Sequence, residues 1–156
     1  QQLLRFKTGD RSAVDFYANK VLPNIREGVI LCCAPSSHKN EWGKGLVHLL
    51  GKLSRSVPCV SYKNLIYRNT STEKRHLIKG KRTEVDLDKL EIIEAERCKD
   101  KDVVVVDDIV TSGYTLCACA ELLWQAQVAS VSCVTMGKTI DTRGMDNVQS
   151  EPIDSD

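Results

Sequence analysis

One stretch constrains the fold of this 156-residue chain more than any other. Four consecutive valines, Val103–Val106, are followed by Asp107 and Asp108 and then by a small, hydroxyl-rich turn that ends at Thr115. An unbroken apolar run of this length predicts a strand buried on both faces, as in a parallel sheet. We therefore expect an α/β fold with a mainly parallel, twisted central sheet and helices on both faces.

The residues after the valines have the chemistry of a site for a phosphorylated sugar. Open α/β sheets bind ligands outside the carboxyl ends of their strands, where the N-terminus of a following helix offers N–H groups to an anion. Gly113 allows close approach of the backbone, and Thr111 and Ser112 add hydroxyl donors. The two acids suit sugar hydroxyls or a metal ion. An ordinary core strand leading into a capped helix does not explain two adjacent acids beside so apolar a strand, since charge is costly to bury.

Composition argues against several classes of function. The net charge is +1, so no global field favours nucleic acid or a membrane surface. No apolar run approaches the roughly 20 residues that a membrane-spanning helix needs. The seven cysteines lack the spacing of zinc ligands, and we expect small buried thiols in a reducing compartment, which favours a cytoplasmic protein.

The rest of the chain predicts one domain over residues 1–140. Ser12 is a candidate N-cap for a helix over residues 13–25, and residues 29–33 predict a buried strand. The helix after the turn should pack through a face that includes Trp124. Residues 141–156 contain few apolar side chains, which predicts a disordered tail.

A second polar loop follows the predicted strand 29–33. It consists of Ala34, Pro35, Ser36, Ser37, His38 and Lys39. Its N–H groups and serine hydroxyls could cradle an anion. From spacing alone, a plain strand-to-helix turn explains the loop better.

Residues 62–83 are rich in basic side chains. They include Lys63, Arg68, Lys74, Arg75, Lys79, Lys81 and Arg82. The segment is either a solvated basic hairpin or a mobile hood, over about residues 62–88, that closes on a polyanionic ligand. In a hood, cations would neutralise a leaving pyrophosphate, and Lys74, Arg75 and Lys79 are the candidates. A nucleic-acid-binding role would rest on this charge cluster alone.

Asp107-Asp-Ile-Val-Thr-Ser-Gly-Tyr-Thr115 resembles the signature of the type I phosphoribosyltransferases: an apolar strand, two acids, one or two apolar residues, then Thr-Thr/Ser-Gly-x-Thr. The resemblance implies a ligand, 5-phosphoribosyl-1-pyrophosphate (PRPP), and transfer of its phosphoribosyl group to a nitrogen nucleophile. It makes Asp107 and Asp108 catalytic residues that hold the ribose hydroxyls, close to a Mg²⁺ ion held mainly by PRPP. It implies a 5′-phosphate loop of Val110, Thr111, Ser112, Gly113, Tyr114 and Thr115, and a pyrophosphate loop of Ala34, Pro35, Ser36, Ser37 and His38.

Within that superfamily the chain resembles the ComF-like phosphoribosyltransferases. Leu4-Arg-Phe-Lys-Thr-Gly-Asp10 is similar to their "KY-x-G-D" segment, and Glu73-Lys-Arg-His-Leu-Ile-Lys-Gly80 to their "E-R-R-x-N-V-x-G" segment. Leu77 stands in place of the usual Asn. The 156 residues contain no Cys-x-x-Cys pair of the zinc module that often precedes the domain in that family, which leaves open whether such a module has been lost. The resemblance implies a homodimer and a nucleobase acceptor. It leaves open a PRPP- or nucleotide-binding regulator without turnover, or an accessory protein of DNA uptake.

Overall fold

The computed structural model describes residues 1–36, 38, 41–69, 89–110 and 113–138, and the statements below concern these residues. The helices are α1 (Gln2–Lys7), α2 (Arg11–Val21), α3 (Lys44–Ser56) and α4 (Tyr114–Gln125). The strands are β1 (Ile30–Cys33), β2 (Val60–Ser61), β3 (Ile66–Arg68), β4 (Leu90–Ile92), β5 (Asp102–Val110) and β6 (Ser130–Lys138).

The valine run forms the centre of a parallel sheet. Its strand order is β2-β1-β5-β6, and each neighbouring pair is parallel. Val103, Val105 and Val106 are at most 1% exposed and Val104 is 7% exposed, because β1 and β6 flank them in the sheet and helices cover both faces. The predicted strand and the predicted parallel α/β fold are therefore confirmed.

Alternate residues of β5 contribute to two separate cores, because successive side chains of a strand point to opposite faces. Val104 and Val106 pack in one core with residues of α1, α2 and α3. Val103 and Val105 pack in the other core with the buried residues of α4, which are Leu116, Ala118, Cys119 and Leu123. The sheet thus separates α1–α3 from α4.

The strands β3 and β4 form a separate two-stranded antiparallel sheet. Ile66 pairs with Ile92, and Arg68 pairs with Leu90. Both strands belong to or border the predicted hood, about residues 62–88, and residues 70–88 lie between them in the sequence. These residues lie outside the described part of the chain, as do the candidate hood residues Lys74, Arg75 and Lys79 and the predicted tail, 141–156.

The N-terminal region differs from its prediction at both ends of the helix. Asp10, not Ser12, caps α2, because the Asp10 carboxylate accepts the Ala13 N–H at 3.0 Å while the Ser12 hydroxyl donates to the same oxygen. The helix begins at Arg11 and ends at Val21, where a 3-10 turn containing Pro23 takes over. The short helix α1 precedes it, and the sequence pattern does not predict that helix.

Two expectations about side-chain burial are wrong. Trp124 is 52% exposed, because the buried stripe of α4 runs through Leu116, Cys119 and Leu123 and Trp124 lies about 100° around the helix from Leu123. The cysteines are not all buried: Cys32, Cys33, Cys98 and Cys119 are buried, whereas Cys117 and Cys133 are exposed. Within the described ranges, no helix has the length and apolar character needed to cross a membrane.

Candidate functional site

The carboxyl ends of β1 and β5 form a topological switch point. The chain leaves β1 through α3 towards β2, and it leaves β5 through α4 towards β6, on the other side of the sheet. The helices α3 and α4 pack on opposite faces. A crevice opens at such a point, and open α/β sheets bind their ligands there. The two predicted binding loops start at Ala34 and Val110, which lie at the carboxyl ends of β1 and β5.

The strand β5 extends beyond its neighbour β1. The pairing of these strands ends at Cys33 with Val106, and the Ala34 N–H donates to the Val106 carbonyl at 2.9 Å. From Asp107 to Val110, the described pairing of β5 is with β6 alone. The sequence suggests that the two acids follow the strand, whereas in the structure they lie within it. They occupy an overhang whose edge faces the crevice.

The two carboxylates of the overhang are held by the local backbone. The Asp107 Oδ1 accepts the Asp108 N–H at 2.8 Å, and the Asp108 Oδ1 accepts the Ile109 N–H at 2.6 Å. The Asp108 Oδ2 lies 3.8 Å from the Lys7 Nζ. Both side chains of this ion pair are partly exposed, at 29% for Asp108 and 42% for Lys7. The described residues therefore do not neutralise the two acids through an ion pair inside the core.

The electrostatics of the pair favour a ligand. Burial raises the pKa of Asp107 to about 6, the Asp108 N–H opposes this shift, the charge of Asp108 adds to it, and Lys7 opposes it. A carboxylate that is partly desolvated and repelled by its neighbour is stabilised by hydroxyl donors or by a cation. The pair can therefore accept sugar hydroxyls or face a metal ion.

The predicted 5′-phosphate loop leads into α4. Val110 is the half-buried last residue of β5, and Tyr114 and Thr115 begin the helix. Gly113 is the N-cap residue with a φ of 79°, a left-handed conformation that glycine adopts without strain. Because glycine has no side chain to cap the first turn, the N-terminus of α4 retains its capacity for an anion. Thr111 and Ser112 lie outside the described residues.

The predicted pyrophosphate loop is a tight turn on a buried base. Ala34 and Pro35 are buried. The Ser36 N–H donates to the Glu41 carbonyl at 3.0 Å, and the His38 N–H donates to the Ser36 Oγ at 3.1 Å. The His38 side chain is exposed. Ser37 and Lys39 lie outside the described residues, so binding by this loop stays a prediction.

Sequence reasoning did not single out Arg68 as a site residue. Its side chain is buried, with 3% of the residue exposed, and its Nε donates to the Ser36 carbonyl at 2.8 Å. The Nη1 has no hydrogen-bond partner among the described residues. Burial lowers the pKa of the Arg68 guanidinium. The signal lies in the alternation of β3, since Arg68 shares its face with the buried Ile66.

Lys7 is a second residue that sequence reasoning did not place in the site. Its helix, α1, is fixed by the fully buried Phe6 and by a close approach to α3. A Cβ at Gly45 would lie 2.0 Å from the Phe6 carbonyl oxygen, so α1 requires glycine there. Leu3 also reaches β6, with its Cδ2 3.1 Å from the Cβ position of Gly137. Tertiary packing therefore brings Lys7 to Asp108.

An apolar cavity of about 230 Å³ lies elsewhere, beside Gly28, Ile30, Val60 and Lys101. These residues are at the amino ends of the strands, opposite to the crevice. The cavity does not contain the acid pair or either predicted loop. The crevice is therefore the candidate site.

Fold and crevice together define a parallel α/β protein with two loops and an acid pair at its switch point. A family model described as the phosphoribosyl transferase domain matches residues 45–150. The chain belongs to this family.

Two known proteins resemble this chain. The adenine phosphoribosyltransferase of Cricetulus griseus is 42% identical over 50 residues, which span 32% of this chain and 28% of that protein. A hypoxanthine phosphoribosyltransferase of Staphylococcus aureus superposes with a TM-score of 0.50 at 15% identity, covering 82% of this chain and 72% of that one. At this identity the structural likeness shows the fold alone.

Proposed function

We propose that the protein is a phosphoribosyltransferase that transfers the 5-phosphoribosyl group of PRPP to a nitrogen nucleophile, a nucleobase, and releases pyrophosphate. The overhang of β5 carries the proposal, because Asp107 and Asp108 lie on it beyond the last β1–β5 pair, and the two predicted anion loops follow β1 and β5 in the sequence. Membership of the phosphoribosyl transferase domain family supports it.

The chain's residues have separate roles in this reaction. The N-terminus of α4 and the loop before it anchor the 5′-phosphate, so that binding energy remote from the reacting carbon positions it. Asp107 and Asp108 accept the ribose hydroxyls. The nitrogen lone pair forms the new bond to the anomeric carbon as the bond to the diphosphate oxygen breaks, and the electron pair of that bond leaves with pyrophosphate. The proton that the nucleobase nitrogen loses passes to solvent. The two carboxylates offset the positive charge that develops on the ribose ring.

The donor set fits Mg²⁺. Carboxylate oxygens are ligands that this hard cation accepts, although two aspartates supply only part of its octahedral shell, so PRPP oxygens and water would complete it. The Lys7 ammonium, 3.8 Å from the Asp108 Oδ2, already places a positive charge beside the pair. When bound, Mg²⁺ neutralises charge on the diphosphate leaving group.

The finer assignments rest on resemblance. Adenine and hypoxanthine are the first acceptors to test, since they are named in the two relatives. The ComF-like placement rests on the sequence of the segment Leu4-Arg-Phe-Lys-Thr-Gly-Asp10. A homodimer and a cytoplasmic location complete the proposal.

Pyrophosphate release tests the function. The protein is incubated with PRPP, Mg²⁺ and a panel of nucleobases, and release should depend on the base. Asp108→Asn should lower the rate by about 100-fold, as expected when a group that stabilises transition-state charge is lost. Asp102→Asn is the matched control at the other end of β5 and should leave the rate unchanged.

Two other outcomes have defined meanings. Thermal stabilisation by PRPP without release for any base would support a non-catalytic regulator. If neither PRPP nor ribose 5-phosphate raises the melting temperature at millimolar concentration, both the enzyme and the regulator are excluded.

A further inference from the structure

Arg68 carries a buried charge that the described residues do not neutralise. Its residue is 3% exposed, and its Nη1 has no hydrogen-bond partner among them. No described carboxylate forms a salt bridge with it. A buried cation is costly unless it is paired and hydrogen-bonded. A buried guanidinium without a counter-ion among the described residues is suited to receive an anion.

The position of Arg68 identifies which anion. Its Nε donates to the carbonyl of Ser36, at 2.8 Å, so the guanidinium lies against the loop of residues 34–38. The strand that carries it packs on the same core as Ala34, through Leu65 and Ile66. The N-terminus of α4, which suits the 5′-phosphate, belongs to the other loop of the crevice. The contact between Nε and the Ser36 carbonyl therefore places the side chain beside the predicted pyrophosphate loop, with Cys119 of α4 also near it.

We propose that Arg68 binds the diphosphate of PRPP through Nη1 while its Nε holds the Ser36 carbonyl. The inference rests on the proposed function and deepens it by naming a residue for the leaving group. Charge-assisted hydrogen bonds from arginine to phosphate are strong and directional. The same guanidinium would therefore fix the loop and receive the leaving group.

Calorimetric titration with inorganic pyrophosphate, ribose 5-phosphate and PRPP tests the inference. Arg68→Met should weaken binding of pyrophosphate and PRPP by roughly 10- to 100-fold, as expected for loss of a charged hydrogen bond. Binding of ribose 5-phosphate should change by less than about 3-fold, because it has no diphosphate. Arg26→Met, which removes an exposed arginine at the amino end of the sheet, is the charge-matched control.

A second variant separates the two roles of Arg68, which are binding the diphosphate and holding the loop of residues 34–38. Arg68→Lys keeps the charge but loses the planar fork, so it should restore part of the pyrophosphate affinity and its salt dependence. A purely structural role predicts no such rescue. In the wild type, the ¹⁵N signals of the Arg68 guanidinium should shift with pyrophosphate and not with ribose 5-phosphate.

The failures are distinguishable. If the wild type binds PRPP but Arg68→Met binds pyrophosphate as tightly, the inference fails and the proposed function stands. Loss of ribose 5-phosphate binding with retained pyrophosphate binding would place Arg68 at the other phosphate and overturn the assignment. If the wild type binds neither PRPP nor ribose 5-phosphate, the proposed function itself fails.

Discussion

Ionisation of the Asp107 carboxyl group costs more free energy in the folded protein than in water. Its ordinary pKa is 3.8, and burial raises it to about 6 in the fold. Because the folded state binds the proton more tightly, this group contributes stability at low pH that is lost as the pH rises through about 6. The difference between the two pKa values corresponds to about 3 kcal/mol of folding free energy at most.

Asp107→Asn should therefore stabilise the free protein at neutral pH while weakening PRPP binding. The amide oxygen can still accept the Asp108 N–H, and the cost of ionising a buried group disappears. We expect a gain of about 1–3 kcal/mol in the free energy of unfolding at about pH 8 and little gain at about pH 4. Urea denaturation across this range measures it. Equal effects at both pH values would contradict the assignment.

The charge of Lys7 is expected to lower the pKa of the same carboxyl group, that of Asp107. Lys7→Met removes a positive charge that lowers the pKa of Asp107, so that pKa should rise further. Carbon-13 NMR titration of the aspartate carboxyls measures the change. Lys20→Met is the control, since Lys20 lies over the Phe16 ring on α2. An unchanged titration of Asp107 would show that the two groups do not interact.

At this scale the sequence identifies the residues whose chemistry is local. Asp107, Asp108 and Gly113 are close together along the chain, so their spacing alone indicates a site. Tertiary packing brings Arg68 to the Ser36 carbonyl and Lys7 to Asp108. The sequence around Lys7 does not mark it, and the only sequence signal for Arg68 is its alternation with the buried Ile66 on β3.

Among the elements, α1 depends most on its surroundings. A helix of six residues is not stable by itself, and its place is set by the contact of Phe6 with Gly45. Periodicity could not predict it. The longer α3 and the strand β5 were predictable, because their apolar patterns span enough residues to specify both the element and its buried face.

Gly45→Ala should destabilise the protein and displace α1. The added Cβ would lie 2.0 Å from the Phe6 carbonyl oxygen, which is backbone and must shift. We expect a loss of about 1–3 kcal/mol by thermal or urea denaturation. Gly51→Ala, on the same helix, meets only the Arg55 side chain at 3.4 Å and should instead stabilise by about 0.5–1 kcal/mol. A similar effect of both substitutions would contradict the close packing of α1.

For the whole molecule, the hydrophobic pattern predicted the parallel α/β fold, and the order of its strands decides where the site lies. The pattern places strands and helices along the chain but does not say that β1 and β5 are neighbours. The switch point arises from that neighbour relation, and so does the difference in length between the two strands. The candidate site was therefore predictable as two separate loops, whereas the adjacency of the strands that lead into them required the fold.

The overhang of β5 also bears on solubility. A strand edge without a neighbour is a place where a foreign chain can add and begin an aggregate. Paired negative charges on that edge repel such an addition. The carboxylates on the overhang thus disfavour the addition of a foreign strand at that edge.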